Sequence, residues 1–119
     1  MAEVIDLRDL MNKIQEMKKM DANLALEFDC VIEVEDINPL VKVINYSINY
    51  ISQLTDQQLQ ISLNQSMSGI TLSFTAFTEK EDRPAINEQV VEALKAYQAD
   101  IELKGEVGKF AQLLISFEK

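Results

Sequence analysis

Histidine and tryptophan are absent from the 119 residues; cysteine occurs once, proline twice and glycine three times. The missing histidine removes the commonest general base and the commonest metal ligand. With it go every Ser-His-Asp or Cys-His nucleophile system and phosphohistidine chemistry. Cys30 is the lone thiol, so no intrachain disulfide forms, and a zinc site would need carboxylates almost alone, which zinc rarely accepts. So few prolines and glycines leave little room for linkers or low-complexity tails. No apolar run nears the roughly 20 residues that span a bilayer. The opening MAEVIDLRDL is acidic and amphipathic, unlike a signal peptide. Basic residues are outnumbered, 11 against 20 acidic, and the net charge of −9 repels phosphate backbones and anionic lipid. Nucleic acid, membrane, metal and cofactor are not expected, and a reducing cytoplasm is the expected setting.

What is present is an ordinary globular composition, 47% hydrophobic and 26% charged. The length predicts a single domain, 1–119, that buries roughly two thirds of its unfolded surface. Over 3–20, Leu7, Leu10, Met11, Ile14 and Met17 recur at three-four spacing, predicting an amphipathic helix. Over 24–35, Leu24, Leu26 and Phe28 fall on one side and Val31 is flanked by Ile32 and Val34, predicting one bent strand or two short ones. A second helix over 37–54 takes Asn38 as its N-cap and Pro39 as its first helical residue.

Residues 58–64 and 70–78 alternate strictly, with Leu59, Ile61 and Leu63, then Ile70, Leu72, Phe74 and Ala76, pointing inward around a turn at 66–69. This is an antiparallel hairpin with one wet face. A charged loop over 79–84 leads to a third helix over 85–98, with Ile86, Val90, Val91, Leu94 and Tyr97 on one face. Strands over 99–104 and 109–117 surround a turn at 105–108. The order, without internal repeats, predicts an α+β two-layer sandwich. Its sheet is mixed and mainly antiparallel, with the helices on one face; residues 1–22 form an amphipathic helix ahead of a sandwich over 24–118.

Asp36, Leu40, Val43 and Ile44 in DINPLVKVINYSINYI (36–51) stand in the register of a D-x-x-x-L-x-x-V-L motif. VVEALKAYQADIELKGEVGKF (90–110) and LLISFEK (113–119) supply a matching helix, strand, glycine turn and closing strand. In order and spacing the chain resembles the ATP-binding domain of histidine kinases, the GHKL or Bergerat fold, over about residues 24–118. The same register puts the family's two helix asparagines, one a magnesium ligand, at Tyr46 and Tyr50. Asn45 and Asn49 stand one residue earlier, about 100° round the helix.

Where the family's Asp-x-Gly-x-Gly reads adenine through its aspartate, this chain has Glu79-Lys80-Glu81-Asp82-Arg83-Pro84, with an aspartate and no glycine. The long lid and its Gly-x-Gly turn have no counterpart, since no glycine lies between Gly69 and Gly105. Close backbone approach to phosphate needs residues without side chains, and Glu79, Glu81 and Asp82 repel a triphosphate.

The resemblance therefore implies a degenerate pseudo-enzyme: a non-catalytic protein-interaction or regulatory module that does not bind ATP and works in bacterial signal transduction. One rival is a divergent ATP-binding histidine kinase or ATPase domain using Asn49 and Asp82. Another is a small-ligand-binding domain with a vestigial pocket at Asn45, Tyr46, Asn49, Tyr50 and Asp82. Glu33, Glu35 and Asp36 lack the loop a cation needs. Glu79, Glu81 and Asp82 sit in a loop where nothing tunes an acid/base pair. The N-terminal stripe, Leu7, Leu10, Met11, Ile14 and Met17 with Met20 beside it, either packs on the chain's own sheet or meets a protein partner or a second copy, a use to which methionine is suited.

Overall fold

In chain order the elements are β1 (Glu3–Asp6), α1 (Leu7–Lys18), β2 (Ala22–Leu26), β3 (Val31–Val34), α2 (Asn38–Ser52), β4 (Leu59–Ser66), β5 (Gly69–Phe77), α3 (Glu88–Lys95), β6 (Ala99–Glu106) and β7 (Phe110–Glu118). They are those of a computed structural model that describes residues 3–19 and 21–118; Met20 lies outside the described residues. The main sheet has five strands in the order β2-β4-β5-β7-β6, and a two-stranded sheet pairs β1 with β3. Within the main sheet β2 runs parallel to β4 and the remaining pairs are antiparallel. The α+β sandwich with a mixed, mainly antiparallel sheet is as the sequence pattern predicts.

Alternation builds the centre. Ile61 pairs with Phe74, which pairs with Leu113; Leu63 pairs with Leu72, which pairs with Ile115. All six are buried and face the helices. Each such side chain contributes about 1.5–3 kcal/mol on burial. A slip of one residue would turn the whole set to water, so the register is strongly specified. Gly69 closes the β4–β5 turn at φ 154, and a Cβ there would lie 2.0 Å from the Phe117 carbonyl oxygen of the neighbouring strand. Only glycine lets the backbones approach so closely.

Three helix boundaries differ from the expected ones. The helix expected over 3–20 begins at Leu7. Its first four residues form β1, with Val4 opposite Glu33 and Ile5 opposite Ile32. β-branched Val4 and Ile5 suit a strand, and Asp6 caps α1 by accepting from the Arg8 amide at 2.9 Å. Of the two readings of 24–35, the structure has the two short strands, in different sheets and separated by a corner where Asp29 adopts φ 63.

At the start of α2 the N-cap position falls on Ile37, which makes no side-chain cap bond, and Asn38, expected there, is already helical; Asp36 Oδ1 accepts from the Asn38 amide at 3.0 Å. The third helix spans only Glu88–Lys95, capped by Asn87, whose Oδ1 accepts from the Gln89 amide at 2.8 Å. Residues 85–87, expected in that helix, belong to an extended strap held against α2. Of the stripe expected on α3, Val90, Leu94 and Tyr97 are buried, whereas Val91 is exposed.

α1 sends Leu7, Leu10, Met11 and Ile14 into the core cluster shared with α2 and the sheet. Among the described residues no helix is long and apolar enough to cross a membrane.

Candidate functional site

The strap over residues 79–87 runs along α2 in the opposite direction and is tied to it at intervals. At its entrance the Thr78 hydroxyl donates to the Leu54 carbonyl at 2.5 Å and the Lys80 ammonium to the Gln53 carbonyl at 3.0 Å. A lysine on the carbonyl end of a helix is favoured by the helix dipole. One turn further back along α2, the Tyr50 hydroxyl donates to the Pro84 carbonyl. A further turn back, the Tyr46 hydroxyl accepts from the Asn87 amide at 3.0 Å. Arg83 holds the outer edge by donating to the Glu106 carbonyl at 3.2 Å. The tyrosine rings stand 6.1 Å apart at 44°.

Their spacing of four residues puts both rings on one flank of α2. Asn45 and Asn49, each about 100° away round the helix, do not reach the strap. Asn49 is exposed, and Asn45 buries its Oδ1 with no hydrogen-bond partner. Asp82 is exposed on the strap, where it lines a shallow recess with Gln53, Lys80 and Glu81. The five residues expected to share a pocket are therefore divided: Tyr46 and Tyr50 under the strap, Asp82 on it, and the asparagines elsewhere on α2.

Burial pushes the Tyr50 hydroxyl above its ordinary value; Tyr46 and Asp82 add to the rise and Arg83 opposes it. Tyr97, at the far end of α3, is raised by burial too, with Asp36 adding and its bond from the Leu40 amide opposing. That hydroxyl accepts from the Leu40 amide at 3.0 Å and donates to the Asp36 carbonyl at 2.5 Å. It thus satisfies one of the amides that the first turn of α2 leaves without a helical partner.

Pro84, Asn87 and Tyr97 were not legible as site residues. The signal for Asn87 was an asparagine just before the helical run Glu88-Gln89-Val90-Val91, the pattern of an N-cap.

Beyond the strap, a groove of about 480 Å³ opens between Pro39, Lys42 and Val43 of α2 and Gln89, Val90 and Ala93 of α3. Among the described residues, no group of three or more cysteine, aspartate or glutamate side chains gathers as a metal site requires.

The stripe on α1 is not a free surface. Leu7, Leu10, Met11 and Ile14 are buried, and among the described residues of the stripe Met17, 83% exposed, alone remains open. A partner or dimer seam along that stripe is incompatible with this placement, because the side chains that would form it are already packed inside the chain.

Solved structures of histidine kinases share this fold. The histidine kinase domain of the E. coli osmosensor EnvZ superposes with a TM-score of 0.75 at 9% identity, covering 98% of this chain and 88% of that one. The ATP-binding domain of PrrB from Mycobacterium tuberculosis gives 0.68 at 14%, covering 98% and 96%. Full-length ShkA in complex with AMPPNP gives 0.77 at 13%, covering 98% of this chain and 30% of that one. By sequence, no protein-family model and no curated protein matches. The chain has the fold of histidine-kinase ATP-binding domains, and the likeness reaches past residues 24–118 to take in β1 and α1.

Proposed function

We propose that this chain is a non-catalytic interaction or regulatory module on the histidine-kinase ATP-binding fold, and that it does not bind ATP. One observation carries the reading. Tyr46 and Tyr50, in register with the family's nucleotide-side asparagines, spend their hydroxyls on the Asn87 amide and the Pro84 carbonyl. A glycine-free strap bearing Glu79, Glu81 and Asp82 is thereby held along α2, in the stretch of sequence where the family has its lid and phosphate loop. On that register aromatic rings stand where the family has amide ligands, and Glu79, Glu81 and Asp82 would repel a triphosphate brought to the strap. The protein works through contacts with other proteins, in bacterial signalling and in the cytoplasm.

Thermal unfolding with and without magnesium-ATP tests this. A ligand at 100-fold its dissociation constant adds about 2.7 kcal/mol to stability. The expected outcome is an unchanged melting temperature at millimolar nucleotide. A dose-dependent rise would restore the rival reading of an active ATP-binding domain.

A second reading is favoured by the α2–α3 groove. Its volume of about 480 Å³ suits a small ligand. Pro39, Val43, Val90 and Ala93 supply an apolar floor, and Lys42 and Gln89 supply polar contacts. If a small molecule binds, it binds there and not at the tyrosines. Methyl resonances of Val43 and Val90 shifting in a fragment screen, with those beneath the strap unmoved, would favour it.

A further inference from the structure

We propose that the groove between α2 and α3 takes a short zwitterionic peptide, two or three residues long, with free termini and apolar side chains. The inference rests on the small-ligand reading of this groove and names the class of ligand. The groove's volume of about 480 Å³ lies within the range of small-molecule sites. Its floor is apolar, with Pro39 and Val43 from α2 and Val90 and Ala93 from α3. Val43 and Val90 are buried, so the floor is fixed by the core beneath it. Two charges of opposite sign line the groove, Asp36 at the start of α2 and Lys42 further along it. Neither forms an ion pair among the described residues. Asn38 and Gln89, one from each helix, add carboxamides, each able to donate and to accept as a peptide bond requires.

The charges decide which ligand fits. A simple anion would meet Asp36 and the net charge of −9, and a simple cation would meet Lys42. A neutral molecule with one positive and one negative end satisfies both. The start of α2 offers an anion little. The Asn38 amide is taken by Asp36 Oδ1 and the Leu40 amide by the Tyr97 hydroxyl, and Pro39 has no amide hydrogen. The carboxylate end of the ligand therefore lies at Lys42, and the ammonium end at the second carboxylate oxygen of Asp36. Asp36 and Lys42 stand six positions apart, roughly 9 Å along the helix. Two or three extended residues reach about 7 to 11 Å, so the termini of such a peptide fall at the two charges. Its peptide bond then pairs with Asn38 or Gln89 while its side chains cover the apolar floor. Asp36 and Lys42 are both exposed, so each charge pair contributes modestly and selectivity rests on having both.

The test is a titration of the full chain with leucyl-leucine, read at the methyl resonances of Val43 and Val90. Shifts that saturate in about the millimolar range are expected. The N-acetyl and C-terminal amide forms each lack one terminal charge. On the parent protein they should bind about two- to fivefold more weakly, the measure of an exposed charge pair. Lys42→Gln should weaken leucyl-leucine by that factor and leave the amide form unaffected. Asp36→Asn, which keeps an oxygen for the Asn38 amide, should weaken leucyl-leucine and leave the N-acetyl form unaffected. A change in folding would move all three ligands alike, so the crossed pattern is specific to the charges. Free and capped peptides binding equally at these methyls would overturn the peptide inference and leave the small-ligand reading standing. So would silence with leucyl-leucine while fragments shift the same methyls. Silence with both overturns the two readings together.

Discussion

Tyr97 does its work through one oxygen. Its hydroxyl bridges the Leu40 amide and the Asp36 carbonyl, joining the end of α3 to the start of α2. Replacing it by phenylalanine leaves a buried amide without a partner, at a cost of about 1–3 kcal/mol, readable as a lower denaturant midpoint at neutral pH. Burial also sets a pH dependence. Tyr97 and Tyr50 both have hydroxyls held above their ordinary value of 10.0. A group whose pKa is raised by folding binds its proton more tightly in the native state. Its contribution is therefore complete below the unfolded pKa of about 10 and is lost as the pH climbs through the folded value. The melting temperature should be flat toward pH 10 for these groups and fall above it. In the Tyr50→Phe, Tyr97→Phe variant the alkaline fall should be shallower; an identical slope would show that other groups control it.

At the scale of elements, the strap is the feature on which the proposal that this chain does not bind ATP rests. α3 is short because residues 85–87 are drawn out along α2, where Tyr46 meets the Asn87 amide. The capping bond of Asn87 to the Gln89 amide then starts the helix at the first residue free to turn. The variant Tyr46→Phe, Tyr50→Phe removes both anchors and should cost about 1–2 kcal/mol in total, as two ordinary hydrogen bonds do. Local opening of the strap should rise before global unfolding does. Amide exchange at Asn87 and tryptic cleavage after Lys80 should both quicken, with exchange in β5 and β7 unaffected. Unchanged exchange at Asn87 would mean the strap is held chiefly by its ties at Thr78 and Lys80.

Across the whole molecule, β1 and α1 share the common core. Leu7 and Met11 are fully buried in the same cluster as Leu40, Leu63 and Ile115. Leu7 also donates its amide to the Cys30 carbonyl at 2.9 Å, fastening α1 to the start of β3. Deleting residues 1–18 should therefore abolish cooperative unfolding. Four apolar side chains, Leu7, Leu10, Met11 and Ile14, leave cavities, and loss of one large core side chain already costs about 2–5 kcal/mol against a total stability of about 5–15 kcal/mol. Retention of a sigmoidal melt by the truncated chain would separate the N-terminal helix from the domain after all.

Local pattern was enough for the two hairpins, because period-two alternation in Leu59–Leu63 and Ile70–Ala76 admits a single register with the apolar side inward. It was enough, too, for the three helices to be located and for the register of α2 to be read from Leu40, Val43 and Ile44, which are all buried. The scarcity of glycine after Gly69 already spoke against a phosphate-cradling loop. Long-range partners decided the rest. Val4 and Ile5 became a strand because β3 offered them an edge, a pairing with residues some 28 positions away that no local window contains. In the sequence Tyr46 and Tyr50 stand at the positions of the family's helix asparagines, with nothing nearby to show what their hydroxyls meet. In the fold their hydroxyls find the backbone of a segment that lies beside them only once the β4–β5 hairpin has returned the chain. Helical periodicity marks a stripe as apolar but carries no information on what covers it. That Leu7, Leu10, Met11 and Ile14 face their own core, while the polar side of the sheet stays open, follows from packing alone.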